Sequence, residues 1–187
     1  MTVDTFLHRL DPPSGKVRLV IDTDTANEID DQFAIAWALF RKDRLQVEAI
    51  TAEPFSFRHH LPELKAAEDA MRAGRGHEEH LLGGFQGWIG RLHAQGRSVD
   101  DLKLVGPAEG MELSHAEILR VCAACGTTPP VYRGATRYAA DKGDIVWSEA
   151  AEAIVDLAKS GDAPLYIAAM GCVTNIAAAL WKAPEIA

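Results

Sequence analysis

Asp22, Asp24, Asp30 and Asp31 fall within ten residues of one another, with Glu28 among them. Carboxylates brought within ~5 Å repel by roughly 3 kcal/mol per pair at an effective dielectric of about 20. A cluster this dense therefore needs a source of positive potential. The N-terminus of a following helix supplies up to ~2 kcal/mol through its free amides and dipole, less than the summed repulsion of three such groups. A divalent cation would supply the rest, and all-oxygen ligands suit a hard ion, calcium or magnesium, in preference to zinc. The alternative is a helix cap at Asp30 or Asp31 with the other acids solvated in a turn. So many acids directly after an apolar run favour the metal or catalytic reading.

The elements that must position these acids are readable around them. Val17, Leu19, Val20 and Ile21 form a β-branched apolar run, and Gln32–Phe40 is rich in Ala, Leu and Phe. This predicts a buried strand, an acidic loop and a helix. Leu45 to Thr51 reads as a second strand after the turn Arg41-Lys-Asp-Arg44. The resulting β-α-β unit is parallel with a right-handed crossover, so both strands end on one edge of the sheet, where open α/β folds bind ligands. The acidic loop and Ala52-Glu-Pro-Phe55 then face one crevice, with Glu53 and Ser56 as candidate ligand contacts or, equally, as parts of a Pro-containing loop exit. Pro164 to Met170 reads as another buried strand, followed by Gly171-Cys-Val-Thr174-Asn175 and a helix over Ile176 to Trp181. The expected fold is α/β: a Rossmann-like open, mostly parallel sheet with helices on both faces.

Between these segments the pattern predicts a helix from Leu64 to Ala73, and an edge-like strand at Val131-Tyr-Arg-Gly-Ala135. Ser114 with Glu117 reads as a capping box opening a helix through Cys125, and Ser148 as the cap of Glu149 to Lys159. Asp141-Lys-Gly-Asp144 reads as a turn. His77 and His80, with Glu78 and Glu79 between them, have metal-ligand spacing but no third partner, and a solvated segment looks the same. His59-His60 reads as a polar loop, and Cys122-Ala-Ala-Cys125 as two small helix residues. The glycine-rich run from Leu81 to Gly90 lacks the Lys-Ser/Thr ending of a phosphate loop.

At 187 residues, 48% hydrophobic and 25% charged, the chain is one domain's worth of globular sequence. A formal net charge of -8 argues against nucleic acid as a partner. No run approaches a membrane span, and Met1 to Lys16 holds no apolar stretch for a signal peptide, so a cytoplasmic protein with no membrane partner is expected.

Asp22-Thr-Asp24, followed by Asp30-Asp31-Gln32-Phe-Ala-Ile-Ala, resembles the N-terminal signature of the inosine-uridine-preferring nucleoside hydrolases. Five residues, Thr25 to Ile29, separate the second and third Asp where the common pattern has three, which resembles a subgroup with a longer loop. Gly171-Cys-Val-Thr174-Asn175 is similar to the family's GPLTN segment, with Cys172 in the place of proline. Pro54-Phe-Ser56 stands where the family commonly has a substrate-binding asparagine. The resemblance implies calcium-dependent hydrolysis of the N-glycosidic bond of ribonucleosides to base and ribose, in purine or pyrimidine salvage. It implies a calcium ion held by Asp24, Asp31 and the Thr174 carbonyl, with Asp24 as the base and Asp30 on a ribose hydroxyl. Asn27 is a further candidate sugar contact or a plain turn residue, and Asp22 a residue that holds the loop's shape. Residues 74–105 read as an insertion relative to the family, forming a flap or partner surface. Family members continue well past the equivalent of Ala187, through another calcium-binding Asp and a His that assists the departing base. The chain is thus expected to be a nucleoside hydrolase-like domain, 1–187, truncated at its C-terminus. An exposed edge or apolar patch would then drive self-association, so a homo-oligomer is expected.

Two other classes fit part of the pattern. Asp22-Thr-Asp24-Thr25 matches the DxDxT motif of haloacid-dehalogenase-like phosphotransferases, with Asp22 as nucleophile and Asp24 as acid/base around magnesium. Their later acidic motif is poorly met, because Gly143-Asp144 has no second Asp in range. The third reading is a truncated, inactive domain that binds metal or nucleoside or serves in assembly.

Overall fold

Branched apolar runs separated by helices build a four-stranded, all-parallel sheet in a computed structural model that describes residues 10–78 and 82–187. Strand β1 (Val17–Thr23) leads through helix α1 (Ile29–Phe40) to β2 (Leu45–Ala52). Later come β3 (Val131–Tyr132) and β4 (Leu165–Ala169), giving the spatial order β3-β2-β1-β4. Asp22 stands opposite Thr51 on one side and Ala169 on the other, so β1, β2 and β4 finish level at one edge. The register slips after Leu19, leaving Glu48 outside the pairing, where Arg18 Nε donates to it at 2.8 Å.

Alternate residues of the central strands face opposite layers, as the strand period requires. Ile21 and Ile50 pack with Ile35, Ala38 and Leu39 of α1 and with Ile118 and Cys122 of helix α4 (Pro107–Ala124). Val20 and Ala49 pack with Ile154 and Val155 of α5 (Glu149–Lys159) and with Ala179 of α6 (Thr174–Lys182). Helices therefore cover both faces of a Rossmann-like sheet.

Three local expectations need correction. Helix α1 starts at Ile29, which places Asp30 and Asp31 inside its first turn, and the residue at the cap position is Glu28, whose side chain makes no capping bond. The two aspartates face the positive end of the helix dipole without capping it. Helix α4 starts at Pro107, where a missing N–H costs nothing, so Ser114 lies buried mid-helix and opens nothing. Glu117 is engaged instead by Gln32 Nε2 at 2.8 Å. Strand β4, read as buried, has a neighbouring strand on one side only among the described residues, and Tyr166 on it is 37% exposed. The cap at Ser148 is as expected, its Oγ accepting from Ala151 N at 3.2 Å.

Residues Phe55–Pro107 form a second compact unit. It contains α2 (Leu61–Arg72), α3 (Gln86–Ala94) and a 3₁₀ turn at Val99–Asp101, around a core of Leu64, Ala67, Leu82, Ile89, Leu92 and Val99. The glycine-rich segment contributes α3, and the stretch read as an insertion, 74–105, falls inside this unit. His77 is exposed, while Glu79 and His80 lie outside the described residues. His59 and His60 sit on a 3₁₀ turn with ring centroids 3.9 Å apart. Among the described residues, no helix is long and apolar enough to cross a membrane.

Candidate active site

The acidic residues at the end of β1 divide into two tiers. In the lower tier Asp22, Glu53 and Asn175 are fully buried. Asp22 Oδ1 accepts from Thr51 Oγ1 at 2.6 Å and from Asn175 Nδ2 at 3.0 Å. Asn175 Nδ2 also donates to Ala52 O at 3.1 Å, and its Oδ1 accepts from Ala135 N at 2.9 Å and Ser148 Oγ at 3.2 Å. One amide thus ties together β1, β2, the segment after β3 and the start of α5. Gly134 permits this convergence, because a Cβ there would stand 1.9 Å from Ala52 O and 2.6 Å from Asn175 Nδ2. Glu53 accepts from the Asn175 backbone N–H at 3.0 Å and from Cys172 Sγ at 3.1 Å. Burial raises the proton affinity of both Glu53 and Asp22, and their mutual contact leaves Glu53 holding the proton well above the ordinary carboxyl range.

The upper tier holds Asp24 and Asp31, 7% and 5% exposed. Asn27 fixes the turn by donating its backbone N–H to Asp24 O at 2.7 Å and its side-chain amide to Asp24 Oδ2 at 3.1 Å. Asp31 Oδ2 accepts from Thr23 Oγ1, which lies 2.7 Å from Thr25 Oγ1. The other oxygen of Asp24, Oδ1, is buried with no hydrogen-bond partner. Burial raises the carboxyls of Asp24 and Asp31, and neighbouring negative charge raises them further, from Asp30 at both and from Glu28 and Asp24 at Asp31. Asp30 is exposed beside them.

The exit of β4 closes against this tier. A Cβ on Gly171 would lie 3.0 Å from Asp24 Oδ1, so a larger residue would press on that carboxylate. Three residues on, Thr174 is the first residue of α6, with its hydroxyl 3.2 Å from Cys172 Sγ. Helical geometry directs the Thr174 carbonyl along the axis of α6.

The sequence-derived candidates are therefore distributed as follows. Asp24, Asp31 and Asn27 lie together, Asp30 stands at their solvent side, and Thr174 begins the adjoining helix. Glu53 belongs to the lower tier, where it has no solvent-exposed face. Asp22, the nucleophile of the phosphotransferase reading, is enclosed in the same way, and Asp144 is paired with Arg137 at 2.7 Å. Asn175 and Tyr138 were not singled out from the sequence. Burial, and after it the negative charge of Asp24, keep the Tyr138 phenol protonated above its ordinary range. Its segment, Thr136 to Ala140, has no regular pattern that would have pointed to it.

Among the described residues, no group of three or more His, Cys, Asp and Glu side chains is arranged to hold a metal ion. The donors present are two carboxylates, one with an orphaned buried oxygen, and such hard oxygens suit calcium as part of a shell completed by carbonyls and water. Cys122, on α4, and Cys125, in the turn just past its end, are free thiols. A cavity of about 570 Å³ lies away from the acids, lined by Ile154, Leu165, Ile167, Ile176 and Leu180 beside the β4 edge. In comparisons with family models, curated proteins and solved structures, nothing matches this chain.

Proposed function

We propose that the chain hydrolyses the N-glycosidic bond of ribonucleosides, releasing base and ribose, with calcium bound beside Asp24 and Asp31. One observation carries this reading: Asp24 Oδ1 is buried without a partner next to a second raised carboxyl, Asp31, and this pair, unlike Asp22 and Glu53 with the orphaned Asp22 Oδ2, retains exposed surface through which a ligand can enter. Calcium would be held by Asp24 and Asp31, with the Thr174 carbonyl as the further candidate ligand, and when bound it would supply positive charge and Lewis acidity.

The remaining work falls to side chains. Asp24 accepts the proton of the attacking water, and its enclosure raises its basicity toward that of a general base. Asn27 grips Asp24 Oδ2 and so leaves Oδ1 for the reaction. Asp30, exposed on the first turn of α1, accepts a hydrogen bond from a ribose hydroxyl, and the surrounding negative charge stabilises an oxocarbenium-like ribosyl centre. Tyr138, held protonated, donates to the departing base. Glu53 acts from beneath as a positioning residue that fixes the start of α6 through the Asn175 N–H.

The test is hydrolysis of inosine and uridine with and without calcium, alongside Asp24→Ala. The expected result is calcium-dependent turnover that falls by about a hundredfold or more in the variant. Equal rates for variant and parent would remove the reading. Tyr138→Phe should slow inosine but spare a riboside with a p-nitrophenolate leaving group, which needs no proton.

A further inference from the structure

We propose that α1 is the contact surface between two antiparallel copies of this chain. Its inner side is committed to the sheet through Ile35, Ala38 and Leu39. Its outer side carries a second apolar stripe: Ile29, Phe33, Trp37 and Phe40 are 70%, 70%, 60% and 69% exposed. Steps of four, four and three residues at 3.6 residues per turn keep these four within an arc of about 80°. A helix that is apolar on both sides belongs in an interior, and among the described residues protein covers only one side of α1.

The area and the charges both select a second copy. With aromatic side chains of ~150–250 Å² each, the stripe offers on the order of 400–600 Å². That matches the largest patch of a typical monomer, ~300–600 Å² and often functional. Two stripes together reach about 1,000 Å², the threshold for a specific interface. The ends of the helix have opposite sign: Glu28 and Asp30 are exposed at its start, and Lys42 and Arg44 follow its end. An antiparallel two-fold places the acidic end of each copy on the basic end of the other, and Ile29 against Phe40. An anionic membrane would require a basic rim at both ends. Close to the axis, Phe33 and Trp37 of both copies form the centre, with the Arg41 guanidinium 5.8 Å over the Trp37 ring.

Sedimentation equilibrium at tens of micromolar should find the parent dimeric, and Phe33→Asp with Trp37→Asp monomeric with an unchanged far-UV spectrum. Reversing one end, by Glu28→Lys with Asp30→Lys or by Lys42→Glu with Arg44→Glu, should weaken the dimer by about tenfold or more. Reversing both ends together should restore it to within about threefold of the parent, because antiparallel complementarity is regained. A monomeric parent would overturn the proposal. So would a dimer that survives the Phe33/Trp37 variant, a fourfold charge variant weaker than either pair, or dissociation by Tyr166→Lys on β4 with the α1 variants still dimeric.

Discussion

Asp22 with Glu53 and Asp24 with Asp31 are two carboxyl pairs at one end of one sheet, and they have opposite surroundings. The lower pair is enclosed, shares a proton and meets donors from Thr51, Asn175 and Cys172. The upper pair keeps 7% and 5% of its surface exposed against none below, and each pair leaves one oxygen without a hydrogen-bond partner, Asp22 Oδ2 below and Asp24 Oδ1 above. The difference lies in access and in where the donors come from: the lower pair is sealed under Asn175 and Cys172, while the upper pair draws on Thr23 and Asn27 of its own loop and has Asp30 exposed beside it. A carboxyl pair sealed among donors from distant segments is a structural post, because no ligand reaches it. A pair near the surface and short of donors holds electrostatic free energy that a cation or a water proton can release. The lower tier ties the loops together, and under the proposed function the upper tier is the one that reacts.

The largest effect should come from removing the post. Asn175→Ala removes the side-chain partners of Ala52 O and Ala135 N and one of the two donors to Asp22 Oδ1, so a loss of about 3–5 kcal/mol is expected in urea denaturation. Next, Asp22→Ala and Asp24→Ala should separate the tiers in calcium-free buffer. The first should cost about 3 kcal/mol by orphaning Thr51, Asn175 and Glu53, while the second should stay within about 1 kcal/mol of the parent or exceed it. Equal losses in the two would erase the distinction.

The proton held by Glu53 gives a finer test. Its folded pKa is raised above the ordinary value of 4.5, so the folded chain retains a proton that the unfolded chain releases. The stabilisation is complete below that value and is lost as pH climbs toward the folded pKa, at about 1.4 kcal/mol per pH unit for one proton. Glu53→Gln, which keeps a donor toward Asp22 without a titrating group, should flatten this decline between pH 5 and neutrality. The smallest effect belongs to Ser148→Ala, expected to cost about 1 kcal/mol from the lost helix cap. That loss should shrink in the Asn175→Ala background, since Ser148 Oγ also reaches Asn175 Oδ1.

Much of the scaffold was legible in the chain because it is encoded locally. The apolar run at Val17–Ile21, the helix after it and the strand at Leu45 dictate a parallel β-α-β unit. The acidic loop was equally visible, as was its place at the sheet edge. Asn175 was not, because it acts across 27 to 153 positions, and no local pattern carries such contacts. Glu53 was visible as an acid at a strand end, but its enclosure depends on Cys172 and α6 arriving from far along the chain. Ser114 misled because Ser-x-x-Glu occurs inside helices as well as at their starts. Strand β4 misled because an apolar strand at the edge has the composition of a central one.

The most direct measurement is the thermal midpoint of the parent and of Asp24→Asn as calcium is titrated. If Asp24 and Asp31 form a cation site, the parent should gain about 2.7 kcal/mol at a calcium concentration a hundredfold above its dissociation constant. The variant should gain little, and magnesium should be less effective than calcium. A parent whose midpoint does not move, or a variant that moves equally, would contradict the account.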